Sequence, residues 1–351
     1  MKYLFHKLVK NSQEIFDFPN NTLISTIQSY AKKFPKKDAI IYVNADTLES
    51  EHISYELFYQ NVLSLAYTLK HEYNLKQGDA VALNLSNTPD ILLFHAACWS
   101  IGCITVPLDT KRDDEDRKLY KLQETKSLVF VTSEGEEELH QAKELSEKIP
   151  KLCTYLVSTK IRLELLKKNV LSEEEICENP NNQSLILFTS GTTALPKGVI
   201  LTLRNLLLNA DGIVDWLRIT EIDRFHIVLP LHHINSTTMS LATLLVGGTI
   251  ILSSRYSKSK FWQIMADYHC TLSSIVPTIC FDLLTEQEAF IRNQKELKFL
   301  TRIQIGSAPV QPTDVIKFYN LYKIKLMQGY GSTETALRVT GVDVWDLSVD
   351  K

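Results

Sequence analysis

The chain has 351 residues, of which 44% are hydrophobic and 23% charged, and its formal net charge is −3. This length allows a large core and more than one domain, and the composition is ordinary for a globular protein. The small net charge gives no electrostatic case for binding nucleic acid or an anionic membrane.

Apolar runs and cysteines indicate the compartment. The N-terminal residues lack a secretory pattern, and we find no apolar run approaching the length of a membrane span. The cysteines are scattered, with no Cys-x-x-Cys pair, which predicts buried and reduced thiols at Cys98, Cys103, Cys153, Cys177, Cys270 and Cys280. We therefore predict a cytoplasmic protein without an integral membrane segment.

Helical and strand patterns alternate along the chain. An apolar helical face over residues 22–34 ends before Pro35, and a strand over 39–43 precedes a long helix for which Ser54 is the predicted N-cap. Further strands are predicted over 80–85, 104–106, 128–131, 152–157, 185–188, 198–201, 224–229, 249–252, 272–276, 302–305 and 324–328. Strands that alternate with helices in this way predict parallel sheets built from right-handed crossover units.

The most specific pattern lies between residues 185 and 199. An apolar run is followed by small hydroxylated residues and a lysine, namely Thr189, Ser190, Gly191, Thr192, Thr193 and Lys197. Small residues let backbone N–H groups approach a phosphate, hydroxyls add donors and the lysine adds a point charge. It is not a Walker A loop, because Pro196 stands near where that pattern has its second glycine. A hairpin loop rich in Ser and Thr is the alternative.

This stretch closely resembles the phosphate-binding loop of the adenylate-forming superfamily, which includes acyl-CoA synthetases, luciferase-like ligases and peptide-synthetase adenylation domains. The usual loop has glycine where this chain has Ala194, a change expected to stiffen the loop. Residues 53–57 and 99–109 resemble two structural motifs of the same superfamily. The resemblance extends from about residue 23 to residue 340.

Residues 229–235 resemble the strand end of acyl-CoA synthetases at which a histidine lines the acyl pocket. The resemblance implies this role for His233, whereas His232 stands where the superfamily usually has an aromatic residue and receives no role. From the residues alone, a buried and hydrogen-bonded histidine is the alternative. The resemblance also implies that Ile279, Phe281 and Leu283 line the acyl tail, although a core helix fits the same pattern.

Two glycine-containing segments complete the resemblance. The first would pack against adenine and consists of Gly306, Ser307, Ala308 and Pro309. The second consists of Gln328, Gly329, Tyr330, Gly331, Ser332, Thr333 and Glu334. In it, Tyr330 would stack near the base, Thr333 would hold phosphate and Glu334 would help to ligate Mg²⁺. Small residues at the carboxyl ends of parallel strands leave room for a nucleotide, and Mg²⁺ prefers carboxylate and phosphate oxygens.

The implied roles form three sets. The catalytic set is Lys197, Thr333 and Glu334, and Glu334 is also the metal ligand. The substrate site would include His233, Gly306 and Gly331. The cofactor site would consist of residues 189–193 and 197 together with the two glycine-containing segments up to Thr333.

The resemblance implies two doubly wound, mostly parallel α/β sheets with flanking helices. One subdomain would span about 70–215 and the other about 12–69 plus 220–345. The implied reaction is ATP-dependent activation of a carboxylic acid, fatty or other, to acyl-AMP, with Mg²⁺ as cofactor and CoA or a carrier protein as acceptor. A peptide-synthetase reaction is less favoured, because the two histidines replace the aspartate that usually holds an amino group.

Superfamily members usually continue into a small β-barrel, a ribose-binding aspartate and a mobile cap with a catalytic lysine. We find no match to these after Glu334, and we therefore expect little or no acyl-CoA formation by this chain alone. The alternatives are a fragment of a longer ligase, a cap supplied by a separate chain, and a non-catalytic nucleotide- or acyl-binding module.

Overall fold

The structure is a computed structural model that describes residues 22–189 and 195–342. Its α-helices are α1 (Leu23–Lys33), α2 (Tyr55–Tyr67), α3 (Pro89–Ser100), α4 (Glu115–Thr125), α5 (Glu136–Lys148), α6 (Thr159–Leu165), α7 (Leu203–Leu217), α8 (Ile234–Leu245), α9 (Phe261–Asp267), α10 (Pro277–Leu283), α11 (Gln287–Asn293) and α12 (Pro312–Tyr322). A π-helix (Thr68–Glu72) continues α2, and short 3₁₀ turns span Glu173–Glu175, Glu296–Phe299 and Thr333–Thr335.

The strands are β1 (Asp38–Val43), β2 (Ser50–Ser54), β3 (Ala80–Asn84), β4 (Ile104–Pro107), β5 (Val129–Ser133), β6 (Cys153–Val157), β7 (Gln183–Thr189), β8 (Lys197–Thr202), β9 (Arg224–Ile227), β10 (Thr249–Ser253), β11 (Leu272–Ile275), β12 (Arg302–Ile305), β13 (Lys325–Tyr330) and β14 (Thr340–Gly341). They form a six-stranded sheet in the order β6-β5-β3-β4-β7-β8 and an eight-stranded sheet in the order β14-β13-β12-β11-β9-β10-β1-β2. Among the described strands, three pairs are antiparallel, and each consists of an edge strand and its neighbour. The edge strands are β2, β8 and β14. The predicted class of two mostly parallel sheets is confirmed.

Alternating strand residues divide the core into three clusters. On β3, Val81 and Leu83 face a central cluster, whereas Ala80 and Ala82 face an outer one. Helices α1, α2, α3, α7 and α8 contribute to the central cluster, which also receives one face of each sheet. Helices α4 and α5 cover the outer face of the six-stranded sheet, and α9 to α12 cover that of the eight-stranded sheet. The two sheets therefore share a helical layer.

Sheet membership follows the sequence closely. The six-stranded sheet uses strands from β3 to β8, and the eight-stranded sheet uses β1, β2 and the strands from β9 onward. The subdomain boundaries at 70–215, and at 12–69 plus 220–345, stay a prediction. Within the described residues, no helix combines the length and the apolar content that crossing a membrane requires.

The structure tests two local predictions, the N-cap of α2 and the burial of the cysteines. Ser54 caps α2 as predicted, because its Oγ accepts a hydrogen bond of 3.2 Å from the Leu57 N–H. The expectation of buried cysteines is wrong for Cys153 and Cys177, which are exposed, and right for the other four. Cys153 is the first residue of β6, the edge strand of its sheet, where fewer elements surround a side chain than in the sheet interior.

Candidate functional site

A cavity of about 630 Å³ lies at the carboxyl ends of strands from both sheets. In the eight-stranded sheet, β9 lies between β10 and β11. The chain therefore adds β10 on one side of β9, and then adds β11, β12 and β13 in turn on the other side. Open α/β sheets bind ligands at the carboxyl ends of strands where the direction of winding reverses. The volume is in the range of small-molecule sites. The lining residues are Thr189, Trp216, Leu229, Pro230, His233, Ile234, Asn235, Met239, Val276, Gln304, Gly306, Ser307, Gly329, Tyr330, Gly331, Ser332, Thr333, Glu334, Leu337 and Arg338.

Two glycines permit close backbone contacts at the cavity wall. A β-carbon on Gly306 would lie 3.0 Å from the carbonyl oxygen of Gly329, so the loop after β12 approaches the last residues of β13 closely. A β-carbon on Gly331 would lie 1.4 Å from the carbonyl oxygen of Leu337. Any larger residue at position 331 must therefore displace the chain, which explains glycine at this position.

Helices α7 and α8 fix the segment from Ser332 to Arg338. The side-chain amide of Asn209 donates to the carbonyl oxygens of Thr335 and Arg338, at 3.1 and 2.8 Å. Thr238, on α8, donates its hydroxyl to the Ala336 carbonyl at 3.2 Å. The turn that carries Thr333 and Glu334 is thus held against two helices of the central layer.

Trp216 and Arg338 form one side of the cavity. The guanidinium of Arg338 lies 4.7 Å from the centre of the Trp216 ring and donates to the Gly212 carbonyl at 2.8 Å. Burial lowers the pKa of Arg338, against the opposite effect of Asp215. The Trp216 Nε1–H donates to the Val342 carbonyl at 3.0 Å. These contacts hold the buried Trp216 ring and the Arg338 guanidinium at the wall, where the cation suits an anionic ligand.

A polar group interrupts the otherwise apolar part of the wall. Ser274, on β11, bonds through its hydroxyl to Asn235 at 2.8 Å and to Gln304. A hydroxyl donates only one hydrogen, so it donates to one amide oxygen and accepts from the NH₂ of the other. Asn235 and Gln304 both line the cavity, beside Met239 and Val276. The apolar wall thus contains two side-chain amides.

The two histidines lie at the junction of the sheets, next to Asp109. His232 Nε2 is 3.4 Å from the Asp109 Oδ2 atom, and the rings of His232 and His233 are 4.3 Å apart between centres. Burial lowers the pKa of His232 to about 4 and also lowers that of His233. Burial would raise the pKa of Asp109, but His232 and the N–H groups of Lys111 and Arg112 keep it below its ordinary value. Both imidazoles are therefore neutral at pH 7 and the carboxylate is ionised.

Asn87 positions the chain immediately before these histidines. Its side-chain NH₂ donates to the carbonyls of Leu229 and Ser253, at 3.0 and 3.3 Å, and its oxygen accepts from the Leu231 N–H at 2.7 Å. Thr88 stands at the N-cap position of α3 but makes no side-chain cap bond, and the Asn87 side chain reaches the other sheet.

The predicted site residues are distributed unequally around the cavity. Among those in the described residues, the wall contains Thr189, His233, Gly306, Ser307, Gly329, Tyr330, Gly331, Ser332, Thr333 and Glu334. Ala308, Pro309 and Gln328 do not line it, and Lys197 lies on β8 opposite Thr189 with its side chain exposed. Ser190, Gly191, Thr192 and Thr193 lie outside the described residues. The roles implied for all of them stay predictions.

The predicted acyl wall is not formed by the three residues named for it. Ile279 and Leu283 are buried in the outer cluster of the eight-stranded sheet, and Phe281 is exposed. They face away because α10 covers the side of the sheet opposite the central layer, and Val276 is the residue of this segment that lines the cavity. The core-helix alternative is correct for Ile279 and Leu283.

Four of the lining residues that the sequence patterns did not assign to the site have polar or aromatic side chains, namely Trp216, Asn235, Gln304 and Arg338. Asn235 lies in a helix and Gln304 on a strand, both in buried segments, and a buried polar residue is an indication of a site. The sequence around Trp216 and Arg338 has no comparable pattern. The two residues meet only because α7 packs against the chain after β13.

The family model for AMP-binding enzymes matches residues 27–350. The oxalate–CoA ligase of Arabidopsis thaliana is 27% identical over 322 residues, which is 90% of this chain and 61% of that protein. The 2-succinylbenzoate–CoA ligase of Bacillus velezensis is 26% identical over 324 residues, which is 92% of this chain and 61% of that protein. The chain thus spans about three fifths of the length of these relatives.

Solved structures agree with this match. The o-succinylbenzoate CoA synthetase of Bacillus subtilis, in complex with the acyl-adenylate OSB-AMP, has a TM-score of 0.74 at 25% identity, over 91% of this chain and 60% of that chain. The N-terminal domain of FACL13 from Mycobacterium tuberculosis has a TM-score of 0.80 at 21% identity, over 92% of this chain and 79% of that chain, which shows the shared fold. By sequence and by fold, this chain belongs to the AMP-binding enzyme family.

Proposed function

We propose that the chain binds ATP in the cavity and activates a carboxylic acid as acyl-AMP, for transfer to CoA. The observation that carries the proposal is the position of Thr189, Gly306 and the turn from Gly329 to Glu334 around one cavity, with His233 in the same wall. Relatives named as CoA ligases, and a similar structure that holds an acyl-adenylate, support the same reaction.

The proposed reaction has two steps. A carboxylate oxygen attacks the α-phosphorus of ATP, and the bond from this phosphorus to the oxygen of the leaving pyrophosphate breaks. The thiolate of CoA then attacks the acyl carbon, and AMP leaves. Hydroxyl groups of Thr189 and Thr333 and the ammonium of Lys197 would stabilise the negative charge on phosphate, and a single well-placed donor is worth about 3 kcal/mol in a transition state.

Glu334 is the proposed site for Mg²⁺. Its carboxylate is exposed at the cavity wall, and hydrogen bonds from its own N–H and from Ser332 lower its pKa. An ionised and accessible carboxylate beside a phosphate site fits a hard cation with oxygen ligands. When bound, Mg²⁺ would neutralise phosphate charge.

The amides of Asn235 and Gln304 support a polar acid as substrate. Ser274 bonds to only one polar atom of each amide. A hydrocarbon tail against the remaining polar atoms would leave them without hydrogen-bond partners, which costs about 1–3 kcal/mol for each group. An acid with a second polar group satisfies them. Relatives named for oxalate, 2-succinylbenzoate and sulfoacetate have such acids in their names, which favours this class over fatty acids.

Calorimetric titration with ATP tests the nucleotide site. We expect Lys197→Ala to weaken ATP binding about 10- to 100-fold, the value of a charge-assisted hydrogen bond. The matched control is Lys151→Ala, because Lys151 is exposed and precedes β6 at the amino-terminal edge of its sheet. Equal ATP affinity in Lys197→Ala and in the control would contradict the proposed phosphate site.

Pyrophosphate exchange tests the chemistry. With a panel of small polar acids, we expect label to return to ATP only when an acid is present, because exchange requires reversal of acyl-AMP formation. ATP binding without exchange for any acid would indicate a nucleotide-binding module in place of a ligase. Exchange with fatty acids but not with polar acids would contradict the proposed substrate class.

A further inference from the structure

One cluster of three side chains that can bind a metal ion lies beside the cavity. The proposed reaction does not use these three side chains together. Within residues 22–189 and 195–342, a single group of three His, Cys, Asp or Glu side chains has its ligand atoms close enough to share an ion. It consists of Asp109, His232 and His233, whose ligand atoms all lie within 4.8 Å of one another. Asp109 follows β4 of one sheet, and the histidines follow β9 of the other.

The distances suit a small transition-metal ion. Ligand bonds of about 2.0–2.1 Å around a tetrahedral zinc ion place neighbouring ligand atoms about 3.4 Å apart. The distance from His232 Nε2 to Asp109 Oδ2 is already 3.4 Å. A rotation of the His233 side chain that brings its nitrogen closer by about 1–2 Å would complete three ligand positions.

The surroundings orient the carboxylate for this role. The Oδ1 atom of Asp109 accepts the backbone N–H groups of Lys111 and Arg112, at 3.1 and 3.2 Å, which leaves Oδ2 toward His232. Such hydrogen bonds to a ligand are typical of metal sites, where they fix its orientation. The nearby cation Lys121 is paired with Asp113 at 2.5 Å, so its charge is offset.

We propose that Asp109, His232 and His233 form a binding site for a divalent transition-metal ion of the zinc type at the junction of the two sheets. Three protein ligands leave a fourth position for water or for a carboxylate from the cavity, because His233 lines the cavity wall. Two imidazoles and one carboxylate favour zinc or a similar ion over Mg²⁺, which prefers oxygen ligands. This site is separate from Glu334, and it does not depend on the proposed reaction.

Zinc titration of the purified chain tests the site directly. The background carries Cys153→Ser and Cys177→Ser, because both thiols are exposed and cysteine thiolates are zinc ligands. We expect one equivalent of Zn²⁺ to bind and excess Mg²⁺ not to displace it. Asp109→Asn, His232→Gln and His233→Gln should each weaken binding at least tenfold, since loss of an outer hydrogen bond alone costs about 10- to 100-fold. Asp109→Asn keeps an oxygen for the two backbone N–H groups.

The control is His52→Gln. His52 pairs with Asp38 at 3.0 Å, so it is a histidine–carboxylate pair without a second imidazole, and its loss should leave zinc affinity unchanged. Co²⁺ provides a second readout, because the visible absorption of tetrahedral Co²⁺ should appear with the parent protein and disappear with each ligand variant. Zinc affinity that is equal in the parent and in a His232→Gln/His233→Gln variant would overturn the proposal, as would the absence of zinc binding to the parent.

Discussion

The side-chain oxygen of Asn87 accepts a hydrogen bond of 2.7 Å from the backbone N–H of Leu231. This contact joins the carboxyl edge of the six-stranded sheet to the segment that carries His232 and His233. The same side chain donates to two carbonyls of the eight-stranded sheet, so one buried amide satisfies three backbone groups.

Replacement of Asn87 by leucine should destabilise the chain by about 3 kcal/mol. Leucine is close in size but leaves three buried backbone groups without partners, each at a cost of about 1–3 kcal/mol before relaxation. Urea unfolding measures the change, with Asn181→Ala as the control, since Asn181 is exposed. A loss below about 0.5 kcal/mol, the size of ordinary surface substitutions, would show that the contact does not hold the sheets together.

Replacement of Gly331 by alanine should disturb the turn that carries Thr333. The added β-carbon would lie 1.4 Å from the Leu337 carbonyl oxygen, so the two segments must separate. We expect a destabilisation of about 1–3 kcal/mol, typical of overpacking, and weaker ATP binding.

The matched control is Gly212→Ala, in the interior of α7. Its β-carbon would meet the Arg338 guanidinium at an ordinary 3.4 Å, and alanine favours a helix by about 1 kcal/mol. Gly212→Ala should therefore be neutral or stabilising. Similar losses in the two variants would contradict the packing described for the turn.

Trp216 should report nucleotide binding by its fluorescence, because its ring forms part of the cavity wall. We expect ATP to change the emission of the wild-type chain and Trp216→Phe to remove most of that change. Trp262→Phe is the control, since Trp262 is buried in the outer cluster of the eight-stranded sheet. A response that survives in Trp216→Phe and disappears in Trp262→Phe would place the nucleotide elsewhere.

Glu178 should make the stability of the chain depend on pH. Its carboxylate accepts the N–H groups of Leu23 and Ile24 at the start of α1, at 2.5 and 3.1 Å, yet burial raises its pKa to about 7. A carboxyl group whose pKa is higher in the folded chain than in the unfolded chain stabilises the fold fully at pH values below its ordinary pKa of 4.5. This contribution is lost as the pH rises toward 7.

Glu178→Gln removes this dependence, because glutamine stays neutral and keeps an acceptor oxygen. Relative to the wild type, the variant should therefore gain stability between pH 5 and pH 8, by at most about 1.4 kcal/mol for each pH unit. Urea unfolding at both pH values measures the difference, with the exposed Glu174→Gln as the control. A wild-type–variant difference that is the same at both pH values would exclude this titration.

Much of the fold follows from local patterns. The buried parallel strands are continuous apolar runs, so β3, β5 and β10 could be predicted within a few residues. The edge strand β2 could not, because only Ile53 among its five residues is buried and the remaining positions are as polar as a loop. The two-residue strand β14 has no pattern of its own and exists only through its pairing with β13.

Some contacts of the candidate site could likewise be predicted from the sequence, and others could not. Residues within the glycine-containing segments could be expected to meet, because they follow neighbouring parallel strands. The Trp216–Arg338 contact and the approach of Asp109 to His232 could not, because each joins elements whose relative position is set by packing of the helical layer. The Ile279 and Leu283 error has the same origin, since the sequence does not show which side of a sheet a helix covers.

A crystal structure of the chain with ATP at saturating concentration tests the central claim most directly. We predict the adenine beside Gly306 and Tyr330, and the phosphates between the hairpin of β7 and β8 and the turn at Thr333. A nucleotide bound at another surface, with this cavity empty, would contradict the account.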